Sequence, residues 1–179
     1  MVQIGMIHGR FQPFHNGHFD YLKAALLRCQ RLIVGITNPE PSTIVVTATD
    51  DHRHREDANP YSFYLRARMI QETIASCPSC SRRATNITIV PFPIHTPAVW
   101  EHYVSGREVV QFMRLIDPWD HEKKVAFVAY GFAIDILDGE RMMSGSEVRA
   151  DIHSGISHWW EKVPDGTRRM IEARRSDSH

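Results

Sequence analysis

His15, Asn16, Gly17 and His18 stand where an apolar run gives way to a helical pattern, with Arg10 close upstream. Two imidazoles three residues apart on a first helical turn project to the same side. A helix start collects unpaired backbone N–H groups and the positive end of the helix dipole, which together favour phosphate. Gly17 carries no side chain, so phosphate oxygens can approach the backbone there. Arg10 adds a permanent positive charge whose forked geometry suits phosphate. Paired histidines at such a place can hydrogen-bond a polyphosphate and stabilise charge as it shifts in a transition state. The plainer reading is a pair of surface capping residues. The apolar run before the motif, the glycine inside it and Arg10 beside it favour chemistry, with Gly9 and Phe11 completing the phosphate-facing loop.

A second segment has similar character. Ser144, Gly145 and Ser146 place two hydroxyls and a glycine at another expected helix start, with Ser146 as the N-cap and Arg149 three residues further on. Alone, this reads as an ordinary cap, with Glu147 favouring the helix start and Arg149 solvated. Paired with the histidine segment, it reads as the second half of a triphosphate clamp.

These groups need a frame that brings distant helix starts together. Residues 2–7 read as a buried strand, a helix follows from about Gly17, and residues 31–37 read as a second strand, which makes a parallel βαβ unit. Residues 38–60 are polar and rich in turn formers, with a short strand expected at 43–49, and a loop of this length is usually functional or mobile. A helix is expected over 61–76, strands over 87–90 and 125–129, and helix over 98–116 with a break near Gly106. Another helix is expected from 146 to 152, with Gly155 as its stop, and helices interrupted at Pro164 over 157–175. The expected fold is α/β: a Rossmann-like, doubly wound, mostly parallel sheet with helices on both faces. It forms one domain over 1–179 whose C-terminal part is helical from about 146. In such sheets ligands bind beyond the carboxyl ends of the strands.

Composition narrows the function classes. Twenty-one basic residues balance twenty-one acidic ones in 179 residues, which argues against nucleic acid as the main partner. The first residues lack the features of a secretory signal, and no apolar run approaches a membrane span. The chain is therefore expected in the cytoplasm, with no membrane partner. Cys77-Pro78-Ser79-Cys80 is a C-x-x-C, but a structural zinc site needs two further ligands. It is read as a polar loop, and no protein-held metal site is expected. His52 and His54 lie in a run of charged residues that could bind a charged acceptor or simply be solvated. Trp159-Trp160 reads as a packing anchor.

The two glycine-containing segments together resemble the nucleotidyltransferase superfamily defined by an HxGH motif and a later ISGTxIR-like motif. Within it, residues 9–15 look most like the archaeal-type nicotinamide mononucleotide adenylyltransferases. Lys23, Asn59-Pro60 followed by a helix with Arg68, Trp100, and the ending Gly155, Trp160, Val163 and Pro164 also match that group. The chain departs from the pattern in four places. Met143-Ser144-Gly145-Ser146 replaces ISGT but keeps the hydroxyls. Ala129-Tyr130-Gly131 stands where an asparagine-containing turn is expected after the fourth strand. Residues 93–97 differ before Trp100, and the 38–60 loop is longer.

The resemblance implies transfer of a nucleoside monophosphate from a nucleoside triphosphate to a small phosphate- or phosphonate-bearing acceptor, with release of pyrophosphate. The nearest pattern joins ATP to nicotinamide mononucleotide and yields NAD. A CTP-dependent enzyme acting on a small phosphonate or phosphate is the alternative. A catalytically silent nucleotide-binding regulatory protein is a third reading. A class I aminoacyl-tRNA synthetase fragment fits poorly, because the chain is short and lacks a lysine-containing second signature. By analogy, His15 and His18 hold the triphosphate, with His18 on the α-phosphate. Arg10 and Arg149 hold the acceptor phosphate and departing pyrophosphate, and Ser144 and Ser146 the β- and γ-phosphates. Trp100, Arg68, His52 and His54 become acceptor-side candidates. Mg²⁺ is expected to bind mainly through nucleotide oxygens and water. The resemblance leaves room for a homo-oligomer, for which no segment supplies a signal.

Overall fold

The computed structural model of the protein describes residues 1–44, 55–139 and 143–176. The chain runs through β1 (Val2–Gly9), α1 (Asn16–Leu26), β2 (Cys29–Thr37), α2 (Phe63–Ser76), α3 (Pro78–Ser81) and β3 (Ile87–Phe92). It continues through β4 (Val110–Met113), α4 (Pro118–Tyr130), β5 (Ala133–Ile136), α5 (Gly145–Ser154) and α6 (Asp165–Ser176). The five strands form one parallel sheet in the order β3-β2-β1-β4-β5. The winding direction reverses beside β1, which therefore borders the switch point where open α/β sheets bind ligands.

Alternation along β1 divides the interior in two. Ile7 faces one core with Leu22, Val34, Ile70, Val148 and Ile171, from β2, α1, α2, α5 and α6. Met6 faces the other with Phe92, Trp100, Phe112's neighbour Met113, Phe127 and Phe132. Adjacent strand residues point to opposite faces, so both sides of the sheet are covered by helix. The first face is built from amphipathic helices. α2 buries Arg66, Met69, Ile70, Thr73 and Ile74, the i, i+3, i+4 pattern of one helical stripe. α6 crosses it so closely that a Cβ on Gly166 would lie 2.2 Å from the Thr73 nitrogen.

The structure corrects several expectations. The strand expected at 125–129 is the interior of α4. Asp117 and Asp120 form a capping box ahead of that run, and Gly131 closes it in the left-handed conformation at φ 101°. Of its apolar residues Phe127 is buried while Val125 and Val128 are exposed, a helical alternation. The helix expected over 98–116 is instead a 3₁₀ segment, Pro97–His102, followed by β4. Val110 pairs with Gly5, and Gln111 with Met6, in the parallel register. The fourth strand thus ends at Met113. Ala129-Tyr130-Gly131 lies at the end of α4 and is not the turn after that strand. The helix expected from Ser146 begins earlier, with Ser144 as its N-cap. Pro41–Thr43 is a 3₁₀ turn where the 43–49 strand was expected to begin, and residues 45–49 lie outside the described residues.

Candidate active site

A cleft of about 1240 Å³ lies over the carboxyl end of β1, between the starts of α1 and α5 and the segments after β2, β3 and β4. Gly9, Arg10, Phe11, His15, Gly17, His18, Ser144, Gly145, Ser146 and Arg149 all line it. The two segments singled out from sequence, more than a hundred residues apart, therefore face one space.

The histidines form their own helix cap. The His18 backbone N–H donates to His15 Nδ1, and the His15 backbone N–H donates to His18 Nδ1, each at 3.4 Å. Their rings stack with centroids 3.6 Å apart and planes 20° apart. A neutral imidazole that accepts at Nδ1 carries its proton at Nε2. The cap thus makes each Nε2 a hydrogen-bond donor and fixes both rings against one another. Gly17 leaves room for this packing, since a Cβ there would lie a tight 3.2 Å from the His15 ring. Asn16 anchors the same turn by donating to the Glu161 carbonyl at 2.7 Å.

The α5 start is docked on the loop after β1. Arg149 Nη1 donates to the Gln12 carbonyl at 2.7 Å, and Nη2 to Ser146 Oγ at 3.2 Å. Burial lowers the Arg149 guanidinium below its ordinary value. Arg149 is thus a half-buried strap between two helix starts rather than the solvated residue that the segment taken alone would suggest. Ser144 Oγ accepts from the Glu147 N–H at 3.2 Å, while the Glu147 carboxylate accepts from the Ser144 N–H at 2.7 Å. The Ser144 hydroxyl therefore caps the helix as well as facing the cleft.

Beneath this lies a group that sequence reasoning missed. Arg66, only 1 % exposed, donates through Nη1 to the carbonyls of Arg10 and Thr37, each at 2.8 Å. Its Nη2 donates to the Asn38 carbonyl at 2.7 Å. The guanidinium thus joins the loops leaving β1 and β2. Both loops carry a residue in the left-handed region, Phe11 at φ 53° and Asn38 at φ 48°. Such backbone persists when its surroundings over-determine it. Phe11 is fully buried against Phe14 and His18, so its ring braces the motif from below.

The opposite wall comes from β1, the segment after β3, and α4. His8, Ile94, His95, Trp119, Asp120 and Lys123 line it. His95 and Trp119 stack with centroids 5.7 Å apart. Asp120 takes the Lys123 ammonium at 2.6 Å and the backbone N–H groups of Ile116 and Asp117 at 3.0 and 3.2 Å. Burial, then the Lys123 charge, push the His8 imidazole down to about 3, against smaller opposing effects of Asp120 and Gln111. His8 is therefore neutral near pH 7. Among the described residues no three His, Cys, Asp or Glu side chains are grouped as metal ligands.

Two acceptor-side candidates fall elsewhere. Trp100 is 1 % exposed and packs among Phe92, Phe127, Tyr130 and Phe132, with its indole N–H on the Pro93 carbonyl at 3.0 Å. It is a core residue, because the sheet's second face needs a large apolar group under α4. Arg68 does not line the cleft and pairs with Glu72 at 2.7 Å along α2. Arg66, two positions earlier on the same helix, does not line the cleft either, but holds the loops that frame it. His52 and His54 lie outside the described residues. At the rim of that segment, Arg55, Asp57 and Ala58 line the cleft.

Comparison with known proteins identifies the family and the fold. A family model described as cytidylyltransferase-like matches residues 6–151. Phosphonoformate cytidylyltransferase of Streptomyces viridochromogenes is 35 % identical over 170 residues, covering 94 % of this chain and 90 % of its own. Nicotinamide-nucleotide adenylyltransferase of Picrophilus torridus is 39 % identical over 175 residues, covering 92 % and 87 %. Among solved structures, the bifunctional NMN adenylyltransferase/ADP ribose pyrophosphatase of Francisella tularensis, complexed with AMP and a manganese ion, has a TM-score of 0.65 at 16 % identity. That likeness is one of fold, over 96 % of this chain and 49 % of the other, so the chain spans about half the length of that protein. The chain belongs to the cytidylyltransferase-like family and is a nucleotidyltransferase.

Proposed function

We propose that the chain moves a cytidylyl group from CTP to the phosphonate or phosphate oxygen of a small acceptor. The observation that carries the triphosphate half is the convergence of two helix starts, the stacked His15–His18 pair and Arg149 on one cleft. The acceptor half rests on the far wall. There Trp100 is buried in the core, and His8, Lys123 and Asp120 present polar groups beside Ile94, His95 and Trp119. The Streptomyces relative acts, by its name, on phosphonoformate, an acceptor of this class.

In this reading an acceptor oxygen attacks the α-phosphorus, a new P–O bond forms, and the bond to pyrophosphate breaks in line. No protein nucleophile takes part. His18 and His15 donate to the triphosphate from Nε2, with His18 on the α-phosphate. Ser144, Ser146 and the α5 N–H groups receive the β- and γ-phosphates, and Arg10 and Arg149 balance the charge that passes to pyrophosphate. Mg²⁺ would be held mainly through triphosphate oxygens and water, and would supply neutralisation of the charge passing to pyrophosphate. Asp120 is already committed to Lys123 and two N–H groups, which argues against a carboxylate cage among the described residues. The whole chain serves as one catalytic domain in the cytoplasm.

A second reading, adenylyl transfer from ATP to nicotinamide mononucleotide, is favoured by the Picrophilus relative and by the stacked His95–Trp119 pair, whose flat faces suit a planar ring. Pyrophosphate release distinguishes them, with ATP, CTP, GTP and UTP crossed against nicotinamide mononucleotide and a panel of small phosphonates and phosphates. Turnover with CTP and a small phosphonate or phosphate supports the first reading. Turnover confined to ATP and nicotinamide mononucleotide replaces it with the second. Nucleotide binding without release under any pairing favours a catalytically silent protein.

A further inference from the structure

Cys77 closes α2 and opens α3, with Pro78 as the first residue of the new turn. The Cys80 N–H donates to the Cys77 carbonyl at 3.0 Å, and the Ser81 N–H to the same oxygen at 2.8 Å. A hydrogen-bonded turn of this kind holds its end Cα atoms within about 7 Å, the separation a disulfide can bridge. Ser79 Oγ, inside the turn, is 3.2 Å from Cys77 Sγ. This is an ordered turn, not the polar loop expected from sequence. Cys77 is partly exposed, whereas Cys80 is 2 % exposed within the first core. Neither lines the cleft.

We propose that Cys77 and Cys80 are a thiol–disulfide exchange site, with Cys77 the attacking sulfur and Cys80 the resolving one. The Cys77 thiolate attacks one sulfur of a small disulfide such as oxidised glutathione and expels one glutathione thiolate. Cys80 then loses its proton and attacks the Cys77 sulfur, expelling the second. Two protein thiols and one small disulfide become one intrachain disulfide and two small thiols.

The local chemistry supports this order. Burial on its own would raise the Cys77 thiol, but hydrogen bonds from Ser79 and Cys80 outweigh it and bring it to about 7. Thiolate is therefore abundant at neutral pH, the condition for attack. Burial raises Cys80 to about 11, so it stays protonated until the mixed disulfide forms beside it. Cys29 supplies an internal control. It is buried, donates to the Ala25 carbonyl at 3.3 Å and is also raised by burial.

The test uses the full chain in glutathione buffers of graded ratio, trapped by alkylation and read by peptide mass. The expected result is joint loss of the Cys77 and Cys80 thiols with the mass of two hydrogens, Cys29 remaining a thiol. Cys80→Ser should stop at a glutathione adduct on Cys77. Cys77→Ser should slow thiol loss at Cys80 at least about tenfold, since a protonated, buried thiol is a poor nucleophile. Wild-type protein that keeps both thiols in excess oxidised glutathione, or that halts at the same adduct as Cys80→Ser, overturns the proposal. Nucleotidyl transfer plays no part in this readout.

Discussion

The Arg66 guanidinium donates to the main-chain carbonyl of Arg10 at 2.8 Å. A buried cation on α2 thus sets the backbone of the loop that carries the site's own arginine. The same guanidinium bonds the Thr37 and Asn38 carbonyls, so the loops after β1 and β2 share one support. Burial lowers Arg66 to about 10, which still leaves it charged near pH 7.

Arg66→Met should therefore cost both stability and activity. Each carbonyl left buried and unpaired costs about 1–3 kcal/mol, and the loop holding Arg10 loses its position. Turnover should fall by about 10²-fold, the range seen when positioning of reacting groups is lost. Arg66→Lys keeps the charge but cannot span three carbonyls, and should fall between. Thermal melts and steady-state pyrophosphate release measure both effects. An Arg66→Met protein with wild-type melting and turnover would remove Arg66 from the site's support.

His18→Ala should lower kcat by roughly 10²-fold or more, as when an oxyanion donor is removed. It also removes half of the reciprocal cap, so a stability loss of about 1 kcal/mol accompanies it. His15→Ala should show the same pair of effects. Undiminished turnover in His18→Ala would take His18 out of the mechanism.

Two glycines distinguish docking at the site from packing elsewhere. A Cβ on Gly145 would lie 2.9 Å from the Gln12 carbonyl oxygen and 3.3 Å from Arg149 Nη1. Gly145→Ala should push α5 off the β1 loop and raise KM for the triphosphate about tenfold, with a loss of stability from the strained Arg149–Gln12 contact. A Cβ on Gly166 would strike the α2 backbone, so Gly166→Ala should cost about 1–3 kcal/mol or more. Its KM should stay unchanged. Equal KM values for Gly145→Ala and wild type would argue that α5 docking is irrelevant to triphosphate binding.

His8 makes stability depend on pH. Its folded-state value is depressed to about 3 from 6.5, so the unfolded chain takes up a proton that the native state refuses. Stability from this group is complete above the unfolded value, falls as pH drops below about 6.5, and stops falling near 3. By pH 5 the loss from His8 is about 2 kcal/mol. Denaturant titrations of wild type and His8→Gln at pH 7 and pH 5 should show a smaller difference in the variant. Parallel losses in the two proteins would contradict the assignment.

Removal of the 52 and 54 imidazoles by alanine should raise KM for the acceptor more than for the triphosphate. Steady-state kinetics with each substrate varied in turn measures it. An effect confined to the triphosphate would reverse the assignment.

Local chemistry was enough for the phosphate half of the site. β1 and β2 are short β-branched runs, and a helix must begin where His15-Asn16-Gly17-His18 follows the loop. Gly155 was readable as a stop because a left-handed residue ends helices cheaply when it is glycine. Tertiary structure alone decided the rest of the sheet. An apolar run of a few residues suits helix or buried strand equally. Residues 110–113 became a strand because β1 offers them a parallel edge, more than a hundred residues away in sequence. Arg66 and Arg68 are two helical positions apart, roughly 200° around the axis. Only the packing of α2 on the sheet turned Arg66 inward under the loops that frame the cleft and left Arg68 partly exposed beside Glu72. For Trp100 the need to fill the second core prevailed, and a large indole beside a cleft was drawn inward by burial.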